Sequence, residues 1–388
     1  MSTEKQFKMV AKTIFGFEEL AMQELKELGA ANIEKGLRAV TFEGDMGFMY
    51  KANLSCRTVI KILKPILEFS AFTEKSLYDG IRKIEWDTIF NLNQTFAIDA
   101  TVHSEYFTHS LFASQKMKDA IVDQFRDKYN ERPSVNVKNP DIQLNIHIKE
   151  HLVTVSLDSS GESLNKRGYR METNVAPINE VLAAGLVIMS QWDTHVPLLD
   201  PMCGSGTILI EAAMIANNIP PSINRSFFNF MNWNDYDKPL FEKIKDNLAQ
   251  KIKQNPVKIT GYDKDQSVLE KAEATIQKAG LSKYIELKQM NFFQSKKTIE
   301  GPLFMIFNPP YNERIDIETE TFYKSIGDTF KKNYPGTIAW FVTANLEGLK
   351  HVGLKASRRI VVANGQLEGR FAKYEIYEGT KKFVRTEE

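Results

Sequence analysis

Val196-Pro197-Leu198-Leu199-Asp200-Pro201-Met202-Cys203-Gly204-Ser205-Gly206-Thr207 is the stretch that decides the fold. An apolar run ends in an acid, turns through glycines and opens a helix expected over residues 207–217. Glycine reaches positive φ cheaply and has no Cβ, so Gly204 and Gly206 let backbone approach a ligand. The helix N-terminus favours an anionic group at the same place. Asp200 offers a carboxylate to a cation. Two other ligand loops are excluded by spacing, because neither G-x-G-x-x-G nor G-x-x-x-x-G-K-[ST] occurs here.

Outward from this loop the pattern repeats. Val257-Lys258-Ile259-Thr260-Gly261-Tyr262-Asp263-Lys264-Asp265 reads as the next strand, again closed by an acid. Asp263 is placed to accept ribose hydroxyls, as acids do after the second strand of nucleotide folds. Asp265 is expected to cap a helix over 266–279. Strands near 196–200, 257–262, 303–307 and 337–343 alternate with helices near 207–217, 266–279 and 321–332. That order predicts an α/β fold with a doubly wound, mostly parallel sheet. Two last strands, near 358–364 and 371–377, are expected as an antiparallel hairpin at its edge.

The strand at 303–307 runs into Asn308-Pro309-Pro310-Tyr311. By itself the tetrapeptide equally describes a proline turn with asparagine as turn former. It also suits methyl transfer to a planar –NH2 group. Such a nitrogen has its lone pair delocalised and becomes nucleophilic only on pyramidalising. The Asn308 side-chain oxygen and the Pro309 carbonyl can accept its two hydrogens, and the proline ring stiffens that backbone. Tyr311 offers a flat face to a flipped base. Loop, acid and Asn-Pro-Pro-Tyr in this order point to S-adenosylmethionine (SAM) as the methyl donor.

The first half lacks a glycine-rich loop and reads as a mixed α+β unit. Strands are expected near 6–14, 39–43, 57–69, 141–149 and 151–157, with helices near 17–29, 45–54 and 115–129. The polar segment Asp158–Arg170 reads as the domain junction. Across 388 residues, 50 basic residues balance 49 acidic ones. A nucleic-acid enzyme normally shows positive bias, so any RNA footprint must be a local patch. Cys56 and Cys203 cannot build a disulfide framework, which points to a reducing cytoplasm. No apolar run approaches the ~20 residues of a membrane helix. His147 and His151 fall in strand-like sequence and are read as surface or packing residues, so no metal site is expected. Phe227, Phe228, Phe230 and Trp233 could touch a base, but such clusters are more often core and are read so here.

The ordered motifs resemble those of the THUMP-containing RNA methyltransferases, and most of all the ribosomal RNA large-subunit methyltransferase L family. Besides the two motifs already quoted, the resemblance rests on Ser110-Leu111-Phe112-Ala113-Ser114-Gln115, Asn139-Pro140-Asp141-Ile142-Gln143-Leu144-Asn145, Lys166-Arg167-Gly168-Tyr169-Arg170 and Ala176-Pro177-Ile178-Asn179-Glu180. It implies an N-terminal RNA-binding region over 1–160, with a ferredoxin-like start and a THUMP domain over roughly 45–160. A linker at 161–178 and a Rossmann-like class I methyltransferase domain over 179–388 would follow. It implies SAM contacts from Pro177, Asn179, Asp200, Cys203, Gly204, Gly206, Thr207, Asp263 and Asn291, and an amino-group clamp from Asn308, Pro309 and Tyr311. The implied activity is methylation of guanine N2 in 23S rRNA, without a metal. Arg167 and Arg170 are candidates for gripping RNA phosphates, or else belong to an exposed linker.

Departures from the family pattern are Asn179 in place of Lys, Asn291 or alternatively Gln294 where an adenine-contacting Asp is expected, Asn312 in place of Gly, and Phe307 where a small or polar residue is usual. A tRNA guanine-N2 enzyme and an RNA or DNA adenine-N6 enzyme share the clamp. A catalytically silent RNA-binding or ribosome-assembly factor is the rival of a different class.

Overall fold

The computed structural model describes residues 6–170, 178–310, 319–364 and 367–378. The chain forms two compact units, one of residues 1–164 with 222–248, the other of 165–221 with 249–388.

The first unit runs β1 (Phe7–Thr13), α1 (Glu18–Leu28), β2 (Ala31–Lys35), β3 (Ala39–Gly44), α2 (Met46–Ser55), β4 (Val59–Ser70), α3 (Glu74–Ile81), β5 (Phe96–His103), α4 (Ser110–Tyr129), β6 (Ile142–Lys149) and β7 (Leu152–Asp158). Its seven strands make one sheet in the order β2-β3-β1-β4-β7-β6-β5. β4 carries both halves of that sheet. Its first residues pair with β1 and its later ones with β7, and the register slips at Pro65, which cannot donate to the ladder. In β6 and β7 the alternating Ile142, Leu144, Ile146, Ile148, Val153, Val155 and Leu157 are all buried.

Residues 222–248 complete this unit, which differs from a simple cut at the linker. The physical reason is aromatic burial. Phe228 and Phe230 are fully buried and stack 5.1 Å apart, and Tyr50 of α2 lies 4.6 Å from Phe230 and 5.7 Å from Phe241. Arg225 donates to the Ser160, Glu162 and Ser163 carbonyls.

The second unit runs α5 (Glu180–Met189), β8 (Leu198–Asp200) and α6 (Thr207–Ala216). After α7 (Lys238–Ala249), nearly all of which belongs to the first unit, it resumes with β9 (Ile259–Asp263), α8 (Gln266–Lys278), β10 (Ile285–Gln289), β11 (Leu303–Phe307), α9 (Thr319–Asn333), β12 (Thr337–Thr343), α10 (Gly348–His351), β13 (Arg358–Asn364) and β14 (Leu367–Ile376). The sheet order is β10-β9-β8-β11-β12-β14-β13. The first five strands are parallel, and the β13–β14 hairpin closes one edge antiparallel to β12. The chain fills one side of β8 with β9 and β10, then crosses back to add β11 and β12. The order therefore reverses between β8 and β11, where ligands of open α/β sheets bind.

Candidate active site

Strand register brings the sequence motifs to the carboxyl end of the second sheet. Asp200 pairs with Gly261, Asp263 pairs with Gln289, and Leu199 pairs with Met305. Asp200, Asp263, Asn291 and Asn308 thus sit at the carboxyl ends of four adjacent strands. Asn308 follows β11, one strand from the glycine-rich loop after β8.

The loop is built from β9 as much as from β8. Cys203 N–H donates to the Tyr262 carbonyl at 2.8 Å, and Gly204 N–H to Asp263 Oδ2 at 3.2 Å. Gly204 and Gly206 both take left-handed φ, 53° and 76°, and Gly206 caps α6. Gly261 lies directly beneath. A Cβ there would stand 2.4 Å from Leu209 Cδ1 and 3.0 Å from Cys203 Sγ, so any larger residue must push these side chains aside.

Asp200 is buried and accepts from Met202 N–H at 3.1 Å. Burial holds its carboxyl well above the ordinary range, and the neighbouring charge of Asp263 adds to this. Burial, Asp200 and Asp263 likewise raise the Cys203 thiol, leaving it neutral and unreactive. Asp263 accepts from Gly204 N–H and, through Oδ1, from Asp265 N–H at 3.0 Å. Each of its oxygens keeps a lone pair for a further donor. Asp265 caps α8 through Ser267 N–H at 2.8 Å, as its place after the strand predicts.

The two departing asparagines have local duties. Asn179 caps α5, its Oδ1 accepting from Val181 and Leu182 N–H, and Asn291 caps a short turn by accepting from Phe293 N–H at 3.0 Å. Each leaves Nδ2 as a donor. Phe307 is wholly buried and packs against Phe341 and Phe330, with ring centroids 5.3 and 6.2 Å away, so its bulk belongs to the core. Pro309 is buried and Asn308 half-buried. Tyr311, Asn312 and Pro177 lie outside the described residues.

Arg167 is a correction. Its side chain is fully buried, with Nε 3.4 Å from Glu211 Oε1 in α6, so it holds an internal ion pair and is sealed from any phosphate. Tyr169 O–H donates to the same oxygen at 3.0 Å. Arg170 is tied inward as well. Its Nε meets Glu180 Oε1 at 2.9 Å, and Nη2 donates to the Ile178 carbonyl and Thr207 Oγ1 at 3.0 and 3.4 Å. Burial raises the Glu180 carboxyl, while Arg170 pulls it back down. Residues 167–170 therefore strap α5 to the start of α6. Sequence reasoning missed Glu180 and Glu211 as partners. A lone acid inside the apolar helix Thr-Ile-Leu-Ile-Glu-Ala-Ala-Met-Ile-Ala is the signal that pointed to a buried cation.

This donor set fits SAM. Asp200 lies within the field of a second carboxylate, Asp263, and this negative pair suits an ammonium group. No Cβ contact stands within 4 Å at Gly204, so the loop is open where a ligand would pass. No group of metal-ligating side chains occurs among the described residues, and no helix there is long and apolar enough to cross a membrane.

Comparison with known proteins agrees. Family models match in tandem: an RlmL ferredoxin-like domain over residues 8–63, a THUMP domain over 71–158 and an RMKL-like methyltransferase domain over 167–373. A Synechocystis protein provisionally named an RNA methyltransferase is 37% identical over 97% of this chain and 98% of its own length. The ribosomal RNA large subunit methyltransferase K/L of Syntrophotalea carbinolica is 34% identical over 94% of this chain. This chain spans about half the length of that enzyme, 53%. The crystal structure of SMU.472, provisionally named a methyltransferase and complexed with SAH, superposes with a TM-score of 0.86 at 28% identity, covering 97% of this chain and all of that one. SAH is what SAM becomes once its methyl is given up, and SAM is the cofactor of this fold. From its ferredoxin-like start through its THUMP domain to the parallel sheet, the chain belongs to the RMKL-like methyltransferases.

Proposed function

We propose that this chain methylates the exocyclic N2 of a guanine in 23S rRNA. One observation carries the reading: Asn308 and Pro309 end β11 at the strand next to the SAM loop. The THUMP domain and the large-subunit name of a relative support RNA, and ribosomal RNA in particular, as the partner. A cytoplasmic location follows from that partner.

When bound, SAM supplies an electrophilic sulfonium methyl. The chain's residues do the rest by binding and orientation. Asp200 answers the ammonium group, and Gly204, Gly206 and Thr207 receive the methionine portion with Cys203 packed beneath. Asp263 accepts ribose hydroxyls with its remaining lone pairs. Asn179 and Asn291 contribute through Nδ2, because each Oδ1 is committed to a cap. Pro177 lines the same approach. Asn308 Oδ1 and the Pro309 carbonyl accept the two amine hydrogens, which draws the lone pair out of conjugation and toward the methyl. Tyr311 stacks on the base. The proton released afterwards passes to water.

The test is incubation of the purified chain and labelled SAM with unmodified 23S rRNA, 16S rRNA and tRNA, followed by nucleoside identification. N2-methylguanosine in 23S rRNA is expected. N6-methyladenosine overturns the guanine assignment, and label confined to tRNA overturns the ribosomal one.

A further inference from the structure

One end of the first sheet carries an aromatic surface that the methyl-transfer site leaves unused. Phe72 follows β4, Tyr106 follows β5, and His151 lies in the β6–β7 turn. Phe72 and Tyr106 are 52% and 51% exposed, and His151 is exposed too. The rings of Phe72 and His151 stack at 4.9 Å and 11°, and Tyr106 meets Phe72 edge-on at 5.3 Å and 88°.

The three loops are fixed to one another by backbone. Ala71 N–H donates to the His151 carbonyl at 2.8 Å, and Glu150 N–H to the His103 carbonyl at 2.7 Å. Ser104 Oγ donates to the Glu150 carbonyl at 2.6 Å and accepts from Tyr106 N–H at 3.0 Å. Phe72 N–H donates to Ser76 Oγ at 3.0 Å, within the capping box of α3. Glu150 holds φ at 52°, a left-handed value that costs a non-glycine residue and here shapes the turn that projects His151.

Aromatic rings left half in water yet locked in position form a ready stacking surface. We propose that Phe72, Tyr106 and His151 are a stacking site for an unpaired nucleobase of the RNA. The inference rests on the RNA reading above. The stacked pair has the planar form that a base continues, and such stacking is tolerant of sequence. The neighbouring Glu105 and Glu150 repel phosphate, with Lys149 offsetting one of them, so recognition comes through the base face rather than the backbone.

The test is binding of the full chain to a fluorescent single-stranded purine RNA of about 12 nucleotides and to a blunt RNA duplex. The Phe72→Ala/Tyr106→Ala double variant is expected to lose about tenfold or more in affinity for the strand. Its duplex affinity should not change and it should remain folded by circular dichroism, and Phe72→Trp should retain binding. Because no phosphate contact is removed, the slope of log affinity against log salt should also stay constant. Equal strand binding by the double variant removes the rings from RNA contact and overturns the inference alone. A reduced salt slope overturns it by showing phosphate contact. A wild-type chain that binds neither RNA overturns it too; the transfer assay above decides separately whether the RNA reading falls with it.

Discussion

Asp263 holds the loop and, in the proposed site, would serve the ligand as well. Its carboxylate fixes Gly204 and Asp265 through their N–H groups and keeps capacity for a ribose. Asp263→Ala should weaken SAM by roughly 1.5–3 kcal/mol, about 10–150-fold, read by calorimetry; unchanged affinity removes Asp263 from the ribose position. Asp200 gives a pH signature. Its carboxyl is raised in the free protein, so it stays protonated above the ordinary carboxylate range, and the stability this contributes is lost as pH rises through the raised value. A bound ammonium favours the charged form, so SAM binding should release a proton and tighten as pH rises toward that value. Calorimetry in two buffers of different ionisation heat should detect the proton in wild type and not in Asp200→Asn. No proton release in either separates Asp200 from the cofactor. Asp200, Asp263 and the loop glycines were legible because each ends a strand or opens a helix. Arg167 was not, since a five-residue polar segment has no period to say which side chain points inward. Its partner Glu211 lies on a helix that follows later in the chain.

The elements of the second unit were legible where strands and helices alternate. Parallel strands β8, β9, β11 and β12, the Asp265 cap and the edge hairpin follow from apolar runs and their turn residues, whereas β10 went unread because Ile285-Glu286-Leu287-Lys288-Gln289 is short and largely polar. In the first unit, β2, α3 and β5 went unread. β2 is a short, largely polar strand at the sheet edge, and α3 has eight residues, too few for a helical period to stand out. The contact of β9 with α6 is a second thing sequence hides, because Gly261 looks like any strand glycine. Gly261→Ala puts a methyl 2.4 Å from Leu209 and 2.9 Å from Leu287. It should cost about 1–3 kcal/mol in denaturant unfolding and weaken SAM by lifting Cys203. A variant as stable as wild type would mean that β9 and α6 separate without cost.

Across the whole molecule, the boundary at 164–165 falls within the polar junction seen in the sequence. The return of residues 222–248 to the first unit was not legible, because Phe228 and Phe230 read as core without saying whose core. A fragment of residues 1–164 leaves Tyr50 without Phe230, Tyr236 and Phe241. It should lack a cooperative melt by circular dichroism or unfold well below the full chain; a melt matching the full chain contradicts the division. The same scale holds the central claim, that the carboxyl end of the second sheet holds the methyl donor on β8 and β9 and presents the amine from β11. Asn308→Ala separates these tasks most directly, by calorimetric SAM affinity and single-turnover methyl transfer on the same preparation. SAM affinity should be unchanged while transfer falls by at least about 100-fold. Loss of SAM affinity along with transfer, or transfer that persists, contradicts the account.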